Sequence, residues 1–247
     1  MNPVRSNVPA HPGLQPESHH PDAGATEPAQ RVMDADPAVL AERIRELRRP
    51  GRRVLVGIIG APGSGKSTLA AAVQAELVEG TPSVRTALVP MDGYHLAQRV
   101  LDEAGLADIK GAPETFDSAG YIALLERLVS TGNGSTAVVY APEFRRALEE
   151  PIAGAVPVGA DVEVVITEGN YLLSPEPPWN RTADLLTETW YLDVAEELRM
   201  DRLISRHIAF GRTPEAALIR ASTGSDGRNA AYVRATRHRA DVLVRPV

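Results

Sequence analysis

The chain has no cysteine, which excludes both a disulfide framework and a thiolate metal site. Aromatic residues make up only 4%, leaving few rings to stack on a flat ligand. Lysine is nearly missing too: of 26 basic residues only two, Lys66 and Lys110, are lysines. A lysine that persists against such an arginine bias marks a place where a compact ammonium is wanted. No apolar run approaches the ~18 residues of a membrane span, and Met1-Asn2-Pro3-Val4-Arg5 leads into no apolar segment of the secretory kind. No membrane partner is therefore expected, and cytoplasm is the default location. The net charge of −6 argues against nucleic acid as the main partner.

The 247 residues suit one large α/β domain with an extension. Residues 1–30 are rich in Pro, His, Ala and polar side chains and read as a disordered arm. His19-His20 lies in it, and two adjacent histidines in such a tail are not read as a metal site. Residues 31–50 form an N-terminal helical segment, with Val39, Leu40, Ile44 and Leu47 at helical spacing over 37–49 and Pro50-Gly51 as the stop. A third unit, 51–247, alternates strands and helices. Strands are expected at 54–59, 84–89, 136–140, 162–167, 189–192 and 242–244, and helices at 65–79, 121–129, 196–210 and 229–239. That alternation implies βαβ units, and so a doubly wound, mainly parallel sheet with helices on both faces.

The strand at 54–59 runs into Gly60-Ala61-Pro62-Gly63-Ser64-Gly65-Lys66-Ser67, followed by Thr68 and a helix. This is the pattern G-x-x-x-x-G-K-[ST] in its proper strand–loop–helix setting. The glycines let successive N–H groups wrap an anion, and the helix N-terminus adds positive potential. Lys66 is expected to reach the β- and γ-phosphates of ATP, and the Ser67 hydroxyl to ligate Mg²⁺. The fold class that follows is α/β, a P-loop NTPase with a helical lid. The loop alone does not separate a kinase from an ATPase.

The second strand ends in Met91-Asp92-Gly93-Tyr94-His95. Ligands in open α/β sheets sit at the carboxyl ends of strands, so Asp92 is a candidate base for an acceptor hydroxyl. His95 either contacts substrate or caps the next helix. The loop followed by Asp-Gly-Tyr-His resembles the kinase family that includes phosphoribulokinase, uridine kinase and type I pantothenate kinase. Three further segments appear in family order. Lys110-Gly111-Ala112-Pro113-Glu114-Thr115-Phe116-Asp117 is similar to the pantothenate kinase segment K-G-x-P-E-[ST]-[YF]-D. Thr167-Glu168-Gly169-Asn170-Tyr171 is similar to the family's E-G-x-x strand end. Thr236-Arg237-His238-Arg239-Ala240 resembles a T-R-x-R-A close.

The resemblance implies that Asp92 is the catalytic base and that Glu168 holds Mg²⁺ or its waters. It implies a lid on the 196–210 helix, where Arg206 and Arg212 would close on the transferring phosphate and Gly211 would act as hinge. Arg202 is read as a solvated surface residue. Asn229 and residues 236–239 would line the adenine pocket. Tyr94, His95, Lys110, Phe116, Phe144 and Tyr171 are candidate acceptor contacts. Trp179, in the Pro-rich stretch 175–179, is read as part of a flap.

Tyr140-Ala141-Pro142-Glu143-Phe144-Arg145-Arg146 departs from the family pattern, because Arg145 and Arg146 stand where pantothenate kinases carry an Asp or Ser and then a His. Two arginines at an acceptor site favour a carboxylate, a phosphate or several sugar hydroxyls. The expected function is an ATP-dependent kinase acting on a small-molecule hydroxyl. The alternative is a P-loop ATPase or nucleotide-dependent regulator with no acceptor. A homodimer using the 37–49 helix is a further expectation.

Overall fold

The computed structural model describes residues 30–131 and 137–246. The arm expected at 1–30 lies outside these except for Gln30, as does the start of the strand expected at 136–140.

Six consecutive apolar residues make a strand that must be covered on both faces. Val54–Ile59 (β2) is such a strand, buried throughout at the middle of a six-stranded sheet. The sheet is parallel at every pairing and also contains Arg31–Asp34 (β1), Thr86–Leu88 (β3), Val164–Gly169 (β6), Glu188–Leu192 (β7) and Val242–Arg245 (β8), in the order β1-β8-β7-β2-β6-β3. Strands 4 and 5, Val139–Arg145 and Glu150–Val158, form a separate antiparallel hairpin.

The helices divide between the two faces. Pro37–Leu47 (α1) and Lys66–Glu79 (α2) cover one, packing Leu40, Ile44, Val73 and Leu77 against Val56, Ile58 and Trp190. Ser118–Ser130 (α4) and Ser225–Ala235 (α7) cover the other, with Tyr121, Leu125 and Val233 in a cluster that includes Leu55 and Val165. Gln98–Ala104 (α3), Glu196–Ala209 (α5) and Pro214–Ser222 (α6) complete the described helices. Among the described residues, no helix is long and apolar enough to cross a membrane.

One feature at the N-terminal side departs from expectation. Arg31–Asp34 adds an edge strand beside β8, a pairing too short and too polar to be visible as a pattern. The apolar face of α1 is used within the chain, against α2 and the sheet, and Arg43 joins it to Glu188 of β7 at 2.6 Å. Trp179 is not on a flap. It is buried, its ring 5.9 Å from that of Phe116 and 5.8 Å from those of Tyr121 and Tyr171.

Candidate functional site

Register puts the chemistry together. In the β2–β6 pair, Ile58 lies opposite Glu168 and Ile59 opposite Gly169; in the β3–β6 pair, Leu88 lies opposite Ile166. β2 and β6 therefore end level and β3 three residues earlier, and the phosphate loop, Asp92 and Glu168 emerge at the same edge. A cavity of about 490 Å³ opens there, bordered by Lys66, Ser67, Asp92, His95, Lys110 and Arg206 among others. A second concavity, of about 400 Å³, lies around Arg48, Arg53 and Glu163 at the opposite strand ends. Its Arg48 is paired with Glu163, and Arg53 is spent on the carbonyls of Leu128, Gly159 and Val162.

The phosphate loop is pressed between its own helix and α5. Gly63 has φ +86, and a β-carbon there would stand 2.7 Å from the Arg199 carbonyl and 3.0 Å from Leu203 Cβ, so only glycine fits. From α5, Arg199 Nη1 donates to the Pro62 carbonyl at 2.9 Å and Arg202 Nη1 to the Ser64 carbonyl at 3.0 Å. Arg202 is exposed, as expected of a surface residue, but its guanidinium is tied to the loop rather than left wholly to solvent. Arg199, buried and paired with Glu196, escaped the sequence reading. The signal was available, because positions 199, 202 and 206 recur at the spacing that shares one helical face.

Lys66 opens α2, with Ser67 and Thr68 in its first turn and the loop's N–H groups before it. Ser67 Oγ donates to Glu168 Oε1 at 2.9 Å, while Glu168 Oε2 is buried without a hydrogen-bond partner. Burial holds the Glu168 carboxyl above the usual carboxylate range; Lys66 pulls the other way, and Asp92 adds to the rise. A buried carboxylate oxygen with no partner beside a hydroxyl suits a hard cation whose remaining ligands come from phosphate and water.

Asp92 sits in the single helical turn Met91–Tyr94, anchored by the fully buried Met91. Arg146, on the turn between β4 and β5, approaches it at 3.5 Å. Arg206 borders the cavity with no hydrogen-bond or ion-pair partner for its guanidinium among the described residues. Burial lowers its affinity for the proton, and neighbouring Arg146 lowers it further. An unpaired, partly desolvated guanidinium is arranged for an incoming anion. Arg212 borders the same space just after Gly211, which has φ +88.

The other expected contacts divide. His95, Lys110, Phe116, Phe144 and Arg146 border the cavity. Arg145 does not; its exposed guanidinium leans toward Glu143 at 3.9 Å, because alternate hairpin residues face opposite sides. Tyr94 packs edge-on against Tyr121 with ring centres 5.3 Å apart, and burial pushes its phenol up to about 12. Tyr171 is fully buried and its hydroxyl donates to the Gly111 carbonyl. Asn229, expected at adenine, borders the cavity but spends its Nδ2 on that same carbonyl at 2.9 Å, since α7 starts against the Lys110–Gly111 turn. Arg237, from the other presumed adenine segment, pairs with Asp193 at 2.7 Å. Cavity residues that the sequence reading missed include His207 and Asp226, joined at 2.6 Å, and Arg220, 3.6 Å from Asp226.

Comparison with known proteins places the chain in a family. The family model described as "Phosphoribulokinase / Uridine kinase family" matches residues 55–247. A Schizosaccharomyces pombe protein described as "Putative uridine kinase" is 33% identical over 187 residues, covering 73% of this chain and 78% of its own length. The Escherichia coli protein YggC is 34% identical over 198 residues, covering 79% and 78%. Among solved structures, a "putative fructose transport system kinase" from Silicibacter superposes with a TM-score of 0.72 at 38% identity, covering 84% of this chain and 98% of that one.

Proposed function

This chain belongs to the phosphoribulokinase/uridine kinase family, and from that premise we propose that it is an ATP-dependent kinase that transfers the γ-phosphate to a hydroxyl of a small molecule. One observation carries the reading: the phosphate loop, Asp92 and the unpaired Arg206 border a single cavity large enough for a compact acceptor. In an ATPase the same carboxylate would face a water instead, so the reading is decided by whether turnover depends on an acceptor.

The residues divide the work. Backbone N–H groups of Gly63, Gly65 and Lys66 cradle the phosphates, and the Lys66 ammonium neutralises their outer oxygens. Ser67 and Glu168 would hold Mg²⁺, which when bound draws charge off the β- and γ-phosphate oxygens. Asp92 orients the acceptor hydroxyl and takes its proton as the new O–P bond forms and the bond from the γ-phosphorus to ADP breaks. Arg146 holds the Asp92 carboxylate from the acceptor side. Arg206 and Arg212 meet the charge on the transferring group, where donors placed in advance act most strongly.

The test is ADP release by the purified chain with Mg²⁺-ATP, with and without a panel of hydroxyl compounds. Release that rises at least about tenfold with one compound supports the kinase. Release indifferent to every compound would leave an ATPase.

A further inference from the structure

One of the chain's two lysines, Lys110, stands in a turn that is fixed from several sides. Gly111 has φ +100. Its carbonyl accepts from the Tyr171 hydroxyl and from Asn229 Nδ2, and its amide donates to Thr115 Oγ1 at 2.9 Å. The ammonium donates to Gln98 Oε1 at 3.1 Å and to the Glu149 carbonyl at 2.8 Å, and lies 5.7 Å from the centre of the Phe144 ring. Glu149 itself is held at φ +55, a conformation unfavourable for a side-chain-bearing residue. Gln98 is held in turn, its amide bonded to the Glu150 carboxylate at 3.0 Å. No carboxylate pairs with the Lys110 ammonium among the described residues. It has three donors, two of them on neutral acceptors, and it borders the cavity. A cation ordered beforehand, with charge uncompensated and a donor left over, binds an anion at little further ordering cost.

His95 supplies the second requirement. Its Nδ1 lies 2.9 Å from the Asp92 carbonyl, which can only accept, so Nδ1 carries the proton. Burial pushes the imidazolium form down, so the ring is neutral. A neutral ring protonated at Nδ1 presents Nε2 as an acceptor. A ligand beside it must bring a donor such as a hydroxyl.

The third observation concerns the rings. Phe116, Tyr171 and Trp179 pack on one another at 5.7–5.9 Å, tilted or edge-on. His95 lies against Phe116 at 4.0 Å and Phe144 at 4.8 Å. With Lys110 also over Phe144, these rings are engaged with one another, and Phe210 is the exposed ring at the cavity's border, without a partner ring among the described residues to close on the other face of a flat base.

Resting on the kinase reading above, we propose that the acceptor is a compact hydroxylated anion. Its carboxylate or phosphate sits on Lys110, a second hydroxyl donates to His95 Nε2, and the reacting hydroxyl faces Asp92. Arg146 and Arg220, close enough to Arg206 to disfavour its proton, add positive potential to the same space. A nucleoside brings hydroxyls for Asp92 and His95 but no anion for Lys110.

The experiment measures acceptor-dependent ADP formation by the full chain with four groups of compounds: polyol carboxylates such as glycerate and gluconate, sugar and polyol phosphates, free hexoses, and nucleosides. An anionic member should exceed its neutral parent at least about tenfold in kcat/KM, and the carboxylate and phosphate arms show which group Lys110 takes. Lys110→Gln should raise the KM of that acceptor roughly 10- to 100-fold with the KM for ATP within about twofold, and Lys110→Arg should recover most of the loss. A nucleoside or free hexose turned over as well as any anion overturns the inference and leaves the kinase standing. So does a Lys110→Gln variant that slows charged and neutral acceptors alike. ADP release that ignores every compound overturns the kinase reading and this inference together. The wild-type panel decides the charge preference even where Lys110→Gln does not fold.

Discussion

The two sides of the cavity are built in different ways. On the phosphate side the contacts are largely backbone: a glycine-bearing loop between β2 and α2, its carbonyls gripped by Arg199 and Arg202 of α5. On the acceptor side they are side chains from separate segments: His95 after β3, Lys110 and Phe116 before α4, Arg146 on the hairpin, Asp226 and Asn229 on α7. A backbone cradle recognises what every nucleoside triphosphate shares. A side-chain rim can change its ligand with one or two substitutions, and here it includes the cations Lys110 and Arg146.

The comparison breaks most severely at Asp92, where the two sides meet. Asp92→Asn should retain ATP binding and lose roughly 10²–10⁴-fold in kcat; steady-state kinetics beside nucleotide titration would check it, and near-normal turnover would remove Asp92 from the role of base. Arg206→Ala comes next, with a fall in kcat of about 10²-fold and ATP affinity within about threefold. Equal losses in both would make Arg206 a ground-state contact of the phosphate side. Arg199→Ala tests the grip of α5 on the loop. It leaves the Pro62 carbonyl without its donor and should lower the melting temperature by roughly 2–8 °C, a cost of about 1–2 kcal/mol. A variant that melts like the parent would show the loop to be held without it.

The smallest effect concerns pH. Burial lowers the pKa of His95 below its ordinary 6.5, so the folded chain binds this proton less readily than the unfolded one. The stability from a neutral His95 is therefore full above pH 6.5 and is lost as pH falls toward the lowered value. His95→Gln should flatten that acid limb. Parallel stability curves from pH 7.5 to about 5 would place the imidazole in water rather than against Phe116 and Phe144.

The same contrast explains what could be read before the structure. The loop was legible because its requirements are local: glycines, one lysine and one serine between an apolar strand and a helix. Strands β2 and β6 were legible because burial on both faces leaves β2 without a polar residue and opens β6 with the apolar run Val164-Val165-Ile166. Strand β1 was not, since Arg31-Val32-Met33-Asp34 at the sheet edge carries no alternation to detect. Strand β5, with Pro151, Gly154 and Pro157, carries residues that usually speak against a strand. On the acceptor side, the sequence could nominate Lys110 and Arg146 but could not distinguish Arg146 from Arg145. That depended on which face of the hairpin looks inward. Asn229 was expected at adenine from the family resemblance, and Tyr171 as an aromatic contact of the acceptor. Both instead hold the Gly111 carbonyl, a long-range pairing that sequence spacing does not encode.

The most direct test of the central claim, that this cavity transfers phosphate to a hydroxyl, follows the fate of the γ-phosphate itself. The chain would be incubated with γ-labelled ATP, Mg²⁺ and each acceptor class, and the label traced to an organic phosphate ester or to inorganic phosphate. Label on the hydroxyl of one acceptor, lost in Asp92→Asn while ATP still binds, is the predicted result. Label appearing only as inorganic phosphate, at the same rate whatever is added, would contradict it.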